Sequence, residues 1–200
     1  MSQQLVIAYI LFASAAAFTP GPNNVMLMTS GLNYGFQRSL AHLAGVTIGY
    51  SVMLGLVGLG LGAVFTAYPI LQTILKYAGA AYLTWLAYVI ATSKPADAQS
   101  AAAGRPMTFT GAALFQLVNV KGWVIAVGSV SAYAAIASYP WNMIVLATIV
   151  CVITFGSSLT WLLFGTALQS LVKSPRAIRI FNIAMAVLLL ASLYPVLVEP

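Results

Sequence analysis

Two short polar interruptions carry most of the residues in this chain that could do chemistry. The first is Thr19-Pro20-Gly21-Pro22-Asn23-Asn24, in the middle of an apolar run over residues 5–32. The second is Gln116, Asn119 and Lys121 in the stretch LFQLVNVKGWV. Neither contains a nucleophile with a base beside it. They offer amide donors and acceptors, backbone groups released from helix pairing, and one ammonium. Three further residues stand apart: His42, Lys76 and the single cysteine, Cys151. One cysteine makes no internal disulfide and no thiolate cluster. His42 has neither a second histidine nor a carboxylate nearby. No metal site and no cofactor are therefore expected, and the pattern is not that of an enzyme. His42 can exchange a proton near neutral pH, which makes it, with Lys76, a candidate for coupling to an ion gradient. The competing readings are an inert interfacial place for His42 and, for Lys76, snorkelling from about two turns inside its span.

In the first interruption, proline at 20 lacks a donor and displaces the carbonyl four residues earlier, that of Ala16. Pro22 does the same to Phe18. Gly21 lets the chain turn without a side-chain clash, and Pro22 suits the first position of a new helix. The first amides of that helix are unpaired and carry the positive end of its dipole. Such a break presents donors for a carboxylate beside carbonyls for an ammonium, which suits a zwitterionic amino acid. A proline kink satisfied by neighbouring helices is the alternative. In a bilayer either is tolerated only where it lines a cavity or is buried in protein.

The second interruption allows two geometries. A helix begun at Met107 carries Lys121 roughly 20 Å along at 1.5 Å per residue. A lysine at the membrane centre costs about 2.5–3.5 kcal/mol on insertion scales and needs a polar pocket. Alternatively, residues 107–118 are re-entrant or interfacial and residues 122–139 form the span. Lys121 then snorkels to the inner surface and Trp123 belongs to the aromatic belt.

Composition dictates the elements that must position these residues. Of 200 residues, 62% are apolar and 5% are charged, against about 25% charged in an average soluble domain. Asp97 and Glu199 are the only carboxylates, so the chain cannot cover itself with a soluble surface and belongs in a lipid bilayer. Its net charge of +6 comes from dispersed Lys and Arg with no nucleic-acid-binding stripe. Six apolar stretches, 5–32, 40–66, 69–92, 107–139, 141–168 and 177–198, reach the length of about 20 residues that crosses the hydrocarbon. None alternates as a barrel strand does. Ala13-Ser14-Ala15 mimics a signal-peptide cleavage site, but the first four residues carry no positive charge, and the segment reads as a retained first span. The pairs Gly45/Gly49 and Gly58/Gly62 and the small run 78–81 suit close helix packing.

Arg38, Lys94, Arg105, Lys173, Arg176 and Arg179, six of the eight basic residues, fall in alternate connections. The positive-inside rule makes that side cytoplasmic and leaves both termini outside. The expected fold is an all-α membrane protein, a single transporter domain over residues 1–200. A cytoplasmic linker, 93–106, joins halves of roughly 1–92 and 107–200. Six transmembrane helices give three to each half, so repeats must insert in opposite senses. That is the inverted-repeat plan with sites at broken helices near the midplane, here helices one and four.

At these residues the chain resembles a known family. The early Pro-Gly-Pro-Asn, the following GLNYGFQRSLAHLAGVTIGY, KYAGAAYLTWLAYVIATSKP and the FQLVNVKGW core of span four are together similar to the LysE/RhtB family of small bacterial amino-acid exporters, over nearly the whole chain. The likeness is greatest to the cysteine/O-acetylserine exporter branch, in the GAAY…W…ATS and QLVNVK stretches. It implies a secondary active exporter of small amino acids or derivatives in the bacterial cytoplasmic membrane, driven by an ion gradient. By position, Pro20, Gly21, Pro22 and Asn23 match the family's first-span motif, and Asn119 and Lys121 its Asn-Pro-Lys-like motif. Val120 stands where that motif commonly has proline, which implies a softer break.

The substrate-binding set expected is Pro20, Gly21, Pro22, Asn23, Asn24, Gln116, Asn119 and Lys121. Asn23, Asn24 and the half-helix amides would hold the carboxylate, and the freed carbonyls the ammonium. Partners are then a small zwitterionic amino acid, a proton or sodium ion, and the lipid bilayer, with no nucleic acid. Helix packing supports a monomer or a homodimer. An inorganic or heavy-metal ion exporter would want thiolates or acidic rings, which the chain lacks. A non-transporting assembly protein is the remaining alternative.

Overall fold

The computed structural model describes residues 2–61, 64, 67–68, 70–93, 105–172 and 174–194. Lys94, Asp97, Lys173, Glu199 and most of the 93–106 linker lie outside them. The described residues form α1 Gln3–Phe18, α2 Pro22–Tyr34, α3 Phe36–Leu56, α4 Ile70–Thr92, α5 Phe109–Val118, α6 Val120–Tyr133, α7 Trp141–Leu171 and α8 Pro175–Ala191. A π turn, Val57–Leu61, extends α3, and a 3-10 turn, Ala134–Ile136, follows α6. The apolar stretches 5–32 and 107–139 are thus two helices each. α1 meets α2 at 55°, and the α5 and α6 axes differ by 70°.

Local chemistry sets these breaks. α1 stops before Pro20, which has no N–H to donate, and Thr19 turns both its amide and its hydroxyl onto the Ala15 carbonyl, at 3.1 and 2.6 Å. Gly21 is fully extended, and α2 begins behind it with proline in its first turn. The second break has no proline. Asn119 leaves the helical region (φ −84°, ψ 92°), and its side-chain oxygen accepts the Gly122 N–H at 3.4 Å, capping α6. An asparagine cap stands at this break in place of a proline, and the chain bends by 70° there. Gly35, at φ 77°, lets α2 turn directly into α3.

By length and composition, α3 with its extension, α4 and α7 each suit a bilayer crossing, and the two bent pairs bring the total to five. α8 has 17 helical residues, and its apolar stretch, 177–198, runs on past the described ones. Several of the larger contacts have a counterpart of unequal extent when α1–α4 are exchanged for α5–α8. α3 lies on α5 as α7 lies on α1, and α2 lies on α7 as α6 lies on α3. The α3–α7 and α4–α8 contacts map onto themselves.

The polarity runs opposite to that of a soluble domain. Asn24, Asn33, Gln116, Asn119, Ser157 and Asn182 are buried, while Leu11, Tyr88, Val152 and Leu171 are largely exposed. Lipid solvates such a coat, and the buried amides and hydroxyls find their partners inside the bundle. Glycine sets the closest crossings. A Cβ at Gly49 would stand 2.6 Å from the Ala113 Cα, and one at Gly45 would strike the Phe109 carbonyl oxygen, so α3 lies directly on α5. Gly31 and Gly165 do the same between α2 and α7. Gly58 packs on the Met143 side chain, and Gly62 lies outside the described residues. The far end of α2 is fastened by a reciprocal amide pair, Asn33 to Asn182, at 2.9 and 3.1 Å.

Candidate functional site

The two breaks meet. Lys121, in the first turn of α6, donates from Nζ to the Thr19 carbonyl at 2.8 Å and to the Pro20 carbonyl at 3.4 Å. Its ammonium therefore faces the first break, which decides against the snorkelling geometry. Gly21 makes room for it: a Cβ there would stand 2.9 Å from Lys121 Nζ and 3.0 Å from its Cδ. A second bridge is reciprocal. Asn23 donates to Gln116 Oε1 at 2.9 Å, and Gln116 Nε2 returns a bond to Asn23 Oδ1 at 3.1 Å. Gln116 also donates to the Ala112 carbonyl at 2.9 Å, and Asn119 Nδ2 lies 3.5 Å from Gln116 Oε1.

The carbonyls that side chains close upon are not those of Ala16 and Phe18. Asn24 Nδ2 donates to the carbonyls of Ala17 and Thr19, at 2.9 and 3.0 Å, and the Ser157 hydroxyl to Ala17 at 2.7 Å. Which acceptors are released depends on where α1 stops as a whole, not only on the position four residues before each proline. The chain's own donors thus hold the Ala17, Thr19 and Pro20 carbonyls at the end of α1.

Between the breaks lies a cavity of about 60 Å³. Gly21, Pro22, Asn23, Asn24, Asn119 and Lys121 line it, so the N-terminal ends of both α2 and α6 face it. Ala13, Ala16 and Ala17 of α1 give it a methyl wall. Tyr50 of α3 and Thr154, Ser157 and Ser158 of α7 complete it. None of these four appeared in the sequence-derived set, although 154, 157 and 158 repeat at the spacing of one helix face. Pro20 and Gln116 do not line the cavity; Gln116 braces Asn23 from behind.

The other expected residues lie elsewhere. His42 on α3 is wholly buried; its Nδ1 lies 2.9 Å from the Ser30 hydroxyl, and its Nε2 has no hydrogen-bond partner among the described residues. Lys76 is half-buried on α4. Neither lines the cavity. The Trp123 indole donates to the Leu117 carbonyl at 2.9 Å, across the second break. No cluster of three metal-ligating side chains occurs among the described residues.

A helical bundle with a lipid-facing apolar coat, and a polar cavity between two half-helix N-termini, defines a multi-pass membrane transporter rather than an enzyme. The LysE type translocator model matches residues 14–192, and the chain belongs to that family. It is 32% identical over 193 residues to the cysteine/O-acetylserine efflux protein of Escherichia coli O139:H28 (strain E24377A / ETEC), covering 95% of this chain and 96% of the relative. The proteins of the same name in Escherichia coli (strain K12) and Shigella sonnei (strain Ss046) are 32% identical over 192 residues, covering 94% of this chain and 95% of each relative. No solved structure matches the chain.

Proposed function

We propose that this chain is a secondary active exporter of small amino acids, of the cysteine and O-acetylserine size, in the bacterial inner membrane. Its substrate's charged groups bind where Lys121 crosses to the first break. The observation that carries this is the Lys121–Thr19 contact. An ammonium at membrane depth calls for an anion, yet no Asp or Glu lies in any apolar stretch of the sequence. A substrate carboxylate supplies it. The unpaired first amides of α2 and α6 favour the same group, because two positive helix ends converge there. When Lys121 turns to the carboxylate, the Thr19 and Pro20 carbonyls are released for the substrate ammonium. The zwitterion thus replaces an intramolecular ammonium, and no charge is stranded.

One ordered water needs roughly 10–15 Å³ on this measure, so 60 Å³ holds about four to six water-sized groups, and the cavity must widen to take a whole amino acid. In this reading the two halves rock about the cavity to expose it alternately, with opposite insertion of the repeats and both termini outside. The coupling ion is a proton carried by His42, supported by its burial and its open Nε2.

The test is flux in reconstituted vesicles loaded with labelled cysteine, O-acetylserine, homoserine, threonine or lysine, for the native chain and Asn23→Ala. Gradient-driven movement of the small zwitterions, lowered in the variant, is expected. No movement above empty vesicles would overturn the exporter reading. Unchanged flux in the variant would overturn the site.

A further inference from the structure

Two buried hydroxyls in the cavity have no role in holding the substrate's charged ends. Tyr50 Oη and Thr154 Oγ1 are each shielded from solvent and without a hydrogen-bond partner among the described residues, and both line the cavity. Their residues are 8% and 7% exposed. A buried hydroxyl left unpaired is costly, and a threonine in a helix ordinarily donates to the carbonyl four residues earlier, as Thr29, Thr160 and Thr166 do here. Thr154 does not take that route.

Their placement is systematic. Tyr50 lies 14 residues into α3, which starts at Phe36, and Thr154 lies 13 residues into α7, which starts at Trp141. α3 and α7 exchange when the halves exchange, so the two hydroxyls sit at matching depth in corresponding helices. Along α7, Ser157 is fastened to the Ala17 carbonyl at the first break. Thr154 is one turn away, about 4.5 Å along the axis. One turn further, Val150 also lines the cavity, joined by Ile125 of α6 and Val46 of α3. Tyr50 and Thr154 thus line the same cavity as the residues of the breaks and as Val46, Ile125 and Val150.

We infer that Tyr50 and Thr154 form the side-chain subsite. It selects amino acids that carry an oxygen or sulfur on the β-carbon (a hydroxyl, a thiol or an acyl ester) over those with a bare methyl or ethyl. This rests on the exporter reading and on the charged groups binding at the breaks. A head group held there brings a β-substituent within reach of hydroxyls one turn away. A bare alkyl group gives neither hydroxyl a partner, and a longer chain runs into Val150 and Ile125.

Counterflow in reconstituted vesicles tests it, with serine, cysteine, O-acetylserine, alanine and 2-aminobutyrate as competing substrates. The native chain is expected to prefer the first three over the last two by about tenfold or more. Tyr50→Phe and Thr154→Val remove only the hydroxyl. Each should lose most of that preference, and the melting temperature in detergent checks that the variant is folded. Preference unchanged in both variants overturns the subsite while leaving the exporter reading intact. Equal loss of all five substrates in either variant, with normal thermal stability, also overturns it by assigning that hydroxyl to the head group. Absence of flux for every amino acid in the native chain overturns the exporter reading and the subsite with it.

Discussion

The Nζ of Lys121 lies 2.8 Å from the carbonyl oxygen of Thr19, so an ammonium at the start of one half-helix closes the end of another in the opposite half of the chain. The same two segments are joined by the Asn23–Gln116 amide pair. Together these contacts make the breaks a single unit with a neutral bridge and a cationic one.

Removing the cation should weaken substrate handling more than folding. Lys121→Met is expected to lower the flux at limiting substrate by roughly ten- to a hundredfold, the scale of one charge-assisted hydrogen bond. Lys121→Arg should recover part of it. Concentration-dependent counterflow checks this; equal affinity in native and Met variants would show that the ammonium does not meet the substrate.

Gly21→Ala perturbs the same contact from the other side. The added methyl meets the end of a flexible lysine, not backbone, so the fold should tolerate it and Lys121 should move. Transport is expected to fall severalfold with the melting temperature in detergent nearly unchanged. A large drop in stability would instead mean that backbone had to shift.

The neutral bridge has a different signature. Asn23→Ala or Gln116→Ala leaves the partner amide unpaired beside a cavity, at about 1–2 kcal/mol. The double variant should be little worse than either single one, because the pair is lost only once. Thermal unfolding of the four proteins in detergent measures the coupling, and strict additivity would show that the two side chains act independently.

Close crossings separate two kinds of glycine. At Gly165 a Cβ would run into the Met28 carbonyl oxygen, whereas nothing stands within 4 Å of one at Gly156. Both lie on α7. Gly165→Ala should cost about 1–3 kcal/mol through forced separation from α2, and Gly156→Ala should be neutral or gain up to about 1 kcal/mol from helix propensity. Detergent melting curves decide it.

His42→Gln tests coupling. If the buried imidazole carries the proton, pH-gradient-driven export should collapse while substrate counterflow, which needs no net proton movement, persists. Loss of both would assign His42 to structure, and loss of neither would remove it from the cycle.

The breaks were legible because Pro20, Gly21 and Pro22 are poor helix residues in an apolar run, and because Asn119 and Lys121 are costly at membrane depth. The glycine pairs were legible for a similar reason: small residues at four-residue spacing have one common use in a bilayer. Tyr50, Thr154, Ser157 and Ser158 were not. A hydroxyl in an apolar helix is usually satisfied by its own turn, so nothing local distinguishes Thr154, which is unpaired, from Thr160, which is not. The Ala17, Thr19 and Pro20 carbonyls, which side chains reach, were not foreseen, because they follow from where α1 ends and not from the position four residues before a proline.

What the sequence by itself determined is the bilayer, the helical class and the places where helices must break, since these follow from residue-level costs of burying charge, proline and backbone. Only the tertiary structure decided that the two breaks face each other, that Lys121 turns to Thr19 instead of the headgroups, and that α3 and α7 supply the rest of the cavity wall. Those are contacts between residues about a hundred positions apart. They depend on how α3 seats on α5 and α2 on α7, a geometry set jointly by glycines, amide pairs and apolar surface on several helices, which no single stretch of sequence contains.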